Sequence, residues 1–104
     1  MNAFNNRLKP KDRTAGLLEI ALQQAEKLGL ANLRRIDVAT AASVSEALVS
    51  ARLGTMVNLR RDVMRHAIKT KNLRVLGEGV ACRDPVALKA PPDLRQQALA
   101  SLAQ

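Results

Sequence analysis

Apolar residues recur at spacings of three and four over most of this chain. The repeat predicts a first helix over Arg13–Leu28, because residues three and four apart share one face of a helix. Five apolar residues lie on that face: Leu18, Ala21, Leu22, Ala25 and Leu28. Gly29 follows at a position where helices commonly end, and we expect it to end this one.

Short polar residues predict where the next helices begin, since their side-chain oxygens can accept hydrogen bonds from the free backbone N–H groups of a first turn. The three expected caps are Asn32, Ser45 and Thr55. The helices that they would cap span Leu33–Ala42, Glu46–Leu53 and Met56–Lys71. The last of these, Met56–Lys71, is the fourth helix counted from the N-terminus, and apolar residues again line one of its faces.

In the last third of the chain, the residue pattern predicts three further helical segments, over residues 73–82, 85–89 and 92–103. Gly77 and Gly79 weaken the first prediction, because glycine costs about 1 kcal/mol relative to alanine inside a helix. Asp84 followed by Pro85 is typical of an N-cap with proline at the first helical position. The pattern as a whole predicts an all-α fold.

Composition narrows the classes of function. The 104 residues fit one domain. A single cysteine, Cys82, and a single histidine, His66, exclude an intrachain disulfide and a structural zinc site. There is no glycine-rich phosphate loop or nucleophile elbow, so we expect neither an enzyme nor a cofactor. No apolar run reaches about 18 residues and no signal peptide is recognisable, which favours the cytoplasm.

Positive charge is concentrated in one part of the chain. Residues 1–75 contain fourteen of the seventeen Lys and Arg residues and six of the nine Asp and Glu residues, whereas residues 76–104 contain three of each. The formal net charge of +8 therefore belongs to the first part. A one-sided basic surface indicates a polyanion as partner, although a merely solvated basic face would have the same composition.

The stretch from Ile36 to Gly54 predicts two short helices joined by a tight turn. Such helices cross steeply, and Ala39 and Ala42 provide the small side chains that a steep crossing needs. The expected core of this unit is Val38, Val44, Val49 and Leu53. The positions expected to face outward are Ser45, Glu46, Ala47, Ser50, Ala51 and Arg52. Most of these are small, so the second helix could enter the DNA major groove, about 12 Å wide.

This stretch resembles the DNA-binding domain of the TetR family of transcriptional regulators. That family's sequence reads roughly Asp-Ile-Ala-x-x-Ala-Gly-Val-Ser-x-Gly-x-Leu-Tyr-x-His-Phe-Gly-Ser-Lys. The residues that match it or replace it conservatively are Asp37, Val38, Ala39, Ala42, Val44, Ser45, Val49, Leu53 and Gly54. The resemblance extends over about residues 13–70. It implies a helix-turn-helix bundle, like that of homeodomains, that inserts the helix beginning at Ser45 into the major groove.

The resemblance also implies which residues contact DNA. Those nearest the base edges and phosphates would be Ser45, Glu46, Ala47 and Ser50. Arg35 and Thr55 would contact phosphate. Ser43 replaces the family's turn glycine, and Ser50 and Met56 replace a tyrosine and a lysine that usually contact phosphate. Basic residues elsewhere are expected to compensate: Arg34, Arg35, Arg52, Arg60, Arg61 and, near the N-terminus, Arg7, Lys9 and Lys11.

These observations predict three parts of the chain. Residues 1–12 form a flexible basic arm, residues 13–71 the helix-turn-helix domain, and residues 72–104 a short helical extension. Since subunits would repel through their basic faces, the neutral extension, over Leu73–Leu102, is the expected dimer surface. Only about 30 residues follow the fourth helix, so the large ligand-binding domain of TetR regulators is not expected.

The expected function is a sequence-specific regulator of transcription that binds double-stranded DNA. It would be a bacterial, nucleoid-associated repressor, similar to phage- or plasmid-borne regulators, and would occupy an inverted-repeat operator as a homodimer. One alternative is a helical adaptor or antirepressor that binds an acidic protein without specific DNA binding. A second is a binder of structured RNA, which the lack of aromatic stacking residues disfavours.

Overall fold

The structure of this chain, a computed structural model, describes residues 10–102. Its α-helices are α1 (Pro10–Leu28), α2 (Arg35–Ala42), α3 (Glu46–Leu53), α4 (Met56–Thr70), α5 (Leu73–Ala81) and α6 (Pro92–Leu102). Two 3₁₀ turns, Leu30–Asn32 and Ala87–Lys89, complete the regular structure over this range. The described residues contain no strand, which confirms the predicted all-α fold.

The two serine and threonine caps in the middle of the chain are confirmed. The Oγ of Ser45 accepts a hydrogen bond from the backbone N–H of Leu48 at 3.1 Å, at the start of α3. The Oγ1 of Thr55 accepts one from the N–H of Asn58 at 3.2 Å, at the start of α4. These bonds satisfy N–H groups that have no partner within their helix, which fixes where each helix begins.

The predicted start of the second helix is wrong. Asn32 lies at the end of a 3₁₀ turn, and its Nδ2 donates to the Leu28 carbonyl at 2.9 Å. Leu33 is fully buried and has an extended backbone, so the chain cannot enter a helix there. The helix begins two residues later, where the Oδ2 of Asp37 accepts from the backbone N–H of Arg34 at 2.9 Å.

Two other helix boundaries differ from the prediction. α1 begins at Pro10 and not at Arg13, which is compatible with proline's missing N–H in a first turn. The predicted helix over residues 85–89 is reduced to the turn at Ala87–Lys89. Asp84 nevertheless caps that turn, since its Oδ1 accepts from the N–H groups of Val86 and Ala87 at 2.9 and 3.1 Å.

The helices pack around one continuous cluster of buried side chains. α1 contacts α2, α3, α4 and α5, while α5 pairs mainly with α6 and also contacts α4. Fully buried side chains come from both parts of the chain, including Leu17, Leu33, Leu59 and Leu76. The helix-turn-helix region and the C-terminal helices therefore share a core.

α5 and α6 pack tightly against each other at Gly77. A Cβ atom at this position would lie 2.6 Å from the carbonyl oxygen of Ala98 on α6. α6 thus lies directly against the backbone of α5, which only glycine allows at that point. The two glycines that lower the helix propensity of α5 are both buried in its packing.

Candidate nucleic-acid interface

The turn between α2 and α3 consists of Ser43, Val44 and Ser45. Ser43 has a left-handed backbone, with φ 57° and ψ 44°, at the position where the TetR sequence has glycine. The N–H of Val44 donates to the Ala39 carbonyl at 3.0 Å and closes the end of α2. Serine here adopts a conformation that glycine favours, at the cost in strain that a non-glycine residue has in this region.

The predicted core of the helix-turn-helix unit is largely confirmed. Val38, Val49 and Leu53 are buried, and Val44 is half-buried against the same cluster. The small contact residues Ala39 and Ala42 are buried as well. α2 and α3 are therefore held together by short apolar side chains, which leaves their other faces for solvent or a partner.

The start of α3 is the most exposed part of this unit. Ser45, Glu46 and Ala47 are all exposed, as the sequence predicts. Although the Ser45 Oγ is engaged as an acceptor, its hydroxyl proton remains able to donate. Ser50 and Arg52 were also expected to face outward, but in the structure each of them is half-buried. The surface accessible to a partner is thus centred on the first turn of α3.

Arg34 and Arg35 lie at the start of α2 in different environments. Arg34 is exposed and forms an ion pair with Asp37, with 3.3 Å between Nη2 and Oδ1. The backbone N–H of Arg34, and then its guanidinium, lower the pKa of Asp37. Arg35 is half-buried and has no ion pair among residues 10–102, and its Nε has no hydrogen-bond partner there.

Arg60 joins this group from α4. Its Nη2 donates to the carbonyl of Leu33 at 3.3 Å, across 27 positions of sequence. Because Leu33 directly precedes Arg34 and Arg35, three of the predicted DNA-binding arginines lie near the start of α2. The sequence suggests a role for Arg60 in phosphate binding but not this contact, which depends on how α4 packs.

Other basic residues of α4 are paired with carboxylates. Arg61 lies 3.2 Å and Arg65 3.8 Å from the Oδ1 of Asp62. These are surface ion pairs, which contribute little to stability and reduce the local positive potential. Arg7 and Lys9 of the predicted arm lie outside the described residues.

Two apolar residues are exposed in the structure although the sequence pattern does not predict it. Ile36 and Val57 are the second residues of α2 and α4, with 41% and 74% of their surface exposed. Neither residue lies on the buried face of its helix. Their spacing from the buried residues is the sequence signal that could have predicted their exposure. Ile36 directly follows Arg35, and Val57 lies two residues after Thr55; both Arg35 and Thr55 are predicted to contact phosphate.

The side chains that the structure places at the starts of α2, α3 and α4 suit binding to an anionic, grooved surface. They combine guanidinium groups, hydroxyls and a small apolar position, and Glu46 is the single carboxylate at the start of α3. Over residues 10–102, no three His, Cys, Asp or Glu side chains cluster as a metal site would require. None of the helices in that range is long and apolar enough to cross a membrane.

Comparisons of the chain with protein-family models, with curated proteins and with solved structures find no match. The resemblance to the TetR DNA-binding domain therefore remains an interpretation of the residues that carry it. Any function assigned to the chain has to be argued from the geometry of the helix-turn-helix and from its charges.

Proposed function

We propose that this chain is a sequence-specific DNA-binding regulator of transcription, related to the DNA-binding domain of TetR regulators. In this proposal it has no enzymatic activity and acts in the bacterial cytoplasm, at the nucleoid, by occupying an operator as a dimeric repressor. The observation that carries the proposal is the exposed, small-faced first turn of α3, held on a tight turn against α2.

Base recognition falls to the first turn of α3. Ala47 is exposed and small, so the helix can approach base edges closely without steric hindrance. Ser45 can donate its hydroxyl proton, while Glu46 can accept from the amino group of a cytosine. Glu46 would repel a phosphate, which favours a role in base recognition over one in backbone contact.

Phosphate binding falls to the arginines beside α2. Arg35 and Arg60 have no carboxylate partner among the described residues, so their charges are available to phosphate oxygens. Arg34 is expected to contribute less, because Asp37 already neutralises part of its charge. Arg52 and the Thr55 hydroxyl complete the proposed set at the end of α3 and the start of α4.

Dimerisation is proposed because one recognition helix contacts few base pairs. Specific operators are usually read as two half-sites about 34 Å apart, or a multiple of that distance. The C-terminal part suits a subunit interface, since residues 76–104 carry no net charge. It also exposes Leu88 and Leu99, at 41% and 42% of their surface. Sedimentation at micromolar concentration that finds only monomer, with and without operator DNA, would contradict this part of the proposal.

The decisive experiment is selection of binding sites from a pool of random duplex DNA, followed by titration at two salt concentrations. The proposal expects an enriched inverted repeat and an affinity that falls as salt rises, because bound arginines release counterions. Salt-sensitive binding without any enriched sequence would contradict it and direct attention to an acidic protein or RNA as partner.

Two substitutions separate base recognition from phosphate binding. Glu46→Gln should change the selected sequence, whereas Arg35→Gln should weaken all duplexes alike and lower the salt slope by about one counterion. Arg83→Gln is the matched control, since Arg83 is exposed in the C-terminal part of the chain. Equal effects of Glu46→Gln and Arg35→Gln would refute the assignment of α3 as the recognition helix.

A further inference from the structure

A groove of about 600 Å³ lies on the molecule away from the first turn of α3. One wall is the end of α1 with the following 3₁₀ turn, residues 27–32, and the other is formed by α5 and the residues up to Asp84. Leu102 of α6 closes it at one side. Small-molecule sites in proteins typically have volumes of about 300–1,000 Å³, so the groove can hold one small ligand.

The lining of the groove is mainly apolar. Leu28 and Leu102 both face it, and they keep 42% and 40% of their surfaces exposed. Leu30 and Ala81 extend the same apolar surface. Exposed leucines from two helices that meet at one depression provide a place for the apolar body of a ligand, since burying them removes apolar surface from water.

Some of the charged groups around this apolar surface have ion-pair or hydrogen-bond partners, and others do not. Its two carboxylates are already engaged: Glu78 lies 4.0 Å from the guanidinium of Arg74, and Asp84 accepts two backbone N–H groups. Lys27 and Arg60, by contrast, have no ion pair among residues 10–102. The Nε of Arg60 is also buried without a hydrogen-bond partner there. The Nη2 of Arg60 already donates to the Leu33 carbonyl, and the Nε atoms of Arg35, Arg52 and Arg95 are unpartnered in the same way. Arg60 therefore keeps further guanidinium N–H groups that can donate to an acceptor.

We propose that this groove binds a small amphipathic anion, with a carboxylate or similar head group and a short apolar body. The head group is bound by Lys27 and Arg60, and the apolar body covers Leu28 and Leu102. The occupant is a single small molecule, because a volume of about 600 Å³ lies within the range of small-molecule sites. Arg60 also belongs to the proposed phosphate-binding set, so a bound anion and DNA would share it. The test uses the chain without DNA, so its outcome does not depend on the proposed function.

Octanoate is a suitable probe, and octanol is its uncharged counterpart of equal chain length. Titration of the ¹⁵N-labelled full chain should shift amide signals of residues 27–32 and 74–84, with octanoate binding several-fold more tightly than octanol. The single thiol, Cys82, lines the groove and is exposed, so octanoate should also slow its alkylation by iodoacetamide. Equal affinity for the two probes, or shifts scattered over the molecule, would overturn the proposal.

Lys27→Gln is the primary variant, because Lys27 is exposed in the last turn of α1 and removing its charge should leave the fold intact. It should weaken octanoate about three- to fivefold and leave octanol unchanged. Lys69→Gln, an exposed lysine in the last turn of α4 outside the groove, is the matched control. Octanoate affinities that are the same in both variants would refute the role of Lys27. Arg60→Gln also removes the bond to Leu33 and is therefore a secondary test.

Discussion

The α2–α3 pair and the α5–α6 pair bring helices together by different means. α2 and α3, of eight residues each, are joined by a three-residue turn in which a serine has a left-handed backbone, and they touch through alanines and valines. α5 and α6 are separated by a longer connection and meet backbone against backbone at Gly77. Local turn chemistry fixes the first pair, whereas close packing between remote segments fixes the second.

The two pairs also differ in charge and exposure. The α2–α3 pair lies within the basic part of the chain and presents an exposed first turn of α3, with arginines nearby. The α5–α6 pair lies mostly in the neutral part and exposes leucines. The difference suggests a division in which the first pair recognises a polyanion and the second pair holds the bundle, and a partner subunit, together.

The largest effect is expected from adding a methyl group at Gly77. Gly77→Ala should lower the free energy of unfolding by about 2–3 kcal/mol, despite alanine's higher helix propensity, because the new Cβ would meet the Ala98 carbonyl. Gly79→Ala should also be destabilising, by about 1–3 kcal/mol, because the new Cβ would meet the flexible end of Met64 and also the Cβ of the buried Ala87 at 2.9 Å. Urea denaturation measures both variants, and a stabilised Gly77→Ala would contradict the close α5–α6 contact.

Removing one helix cap from the α2–α3 pair and one from the α5–α6 pair distinguishes an effect on stability from an effect on DNA binding. Ser45→Ala and Asn72→Ala each delete a side-chain acceptor at the start of a helix, α3 and α5 respectively. Ser45→Ala should cost about 1 kcal/mol of stability by thermal unfolding. Asn72→Ala should cost somewhat more, because the Nδ2 of Asn72 also donates to the Glu26 carboxylate at 3.1 Å. Only Ser45→Ala should change binding to the selected operator at a temperature where both variants are folded. Equal losses of DNA binding would contradict the division between the two pairs.

Helix boundaries set by local chemistry could be predicted from the sequence, and those set by packing could not. Ser45 and Thr55 cap their helices as expected, because the bond that each makes lies within four residues of sequence. Asn32 has the same chemistry but does not act as a cap. The burial of Leu33 beside it decides the backbone conformation, and burial depends on helices elsewhere in the chain.

The sequence predicts the exposed first turn of α3, but not the contacts of the residues around it. Alternation of apolar and small polar residues indicates that Glu46 and Ala47 face outward, as they do. The bond from Arg60 to Leu33 spans 27 residues, and no local pattern records it. The sequence indicates only that Gly77 weakens α5, because the benefit of a glycine there depends on its contact with Ala98, which lies on another helix.

Two exposed residues with positive φ, on either side of α5, offer a smaller test of backbone strain. Lys71 ends α4 with φ 58°, and Arg83 follows α5 with φ 58°. Lys71→Gly and Arg83→Gly should each raise the free energy of unfolding by about 0.5–1 kcal/mol, because glycine adopts this region without a Cβ penalty. Thermal unfolding of the single and double variants should show additive gains, since the nine-residue helix α5 lies between the two sites. A loss of stability in both would contradict the assigned conformations.

The smallest effect concerns the pH dependence of the α2 start. The pKa of Asp37 is lowered in the folded chain, first by the backbone N–H of Arg34 and then by its side chain. The carboxylate therefore contributes its full stability above the ordinary carboxyl pKa of about 4, and that contribution is lost as the pH falls through the lowered folded value. In thermal unfolding from about pH 6 to about pH 2, wild type should exceed Asp37→Asn at the upper end and converge with it at the lower end. Arg34→Gln keeps the backbone donor and should retain the larger part of this pH dependence. A constant difference between wild type and Asp37→Asn over the whole range would show that the charge of Asp37 does not stabilise the start of α2.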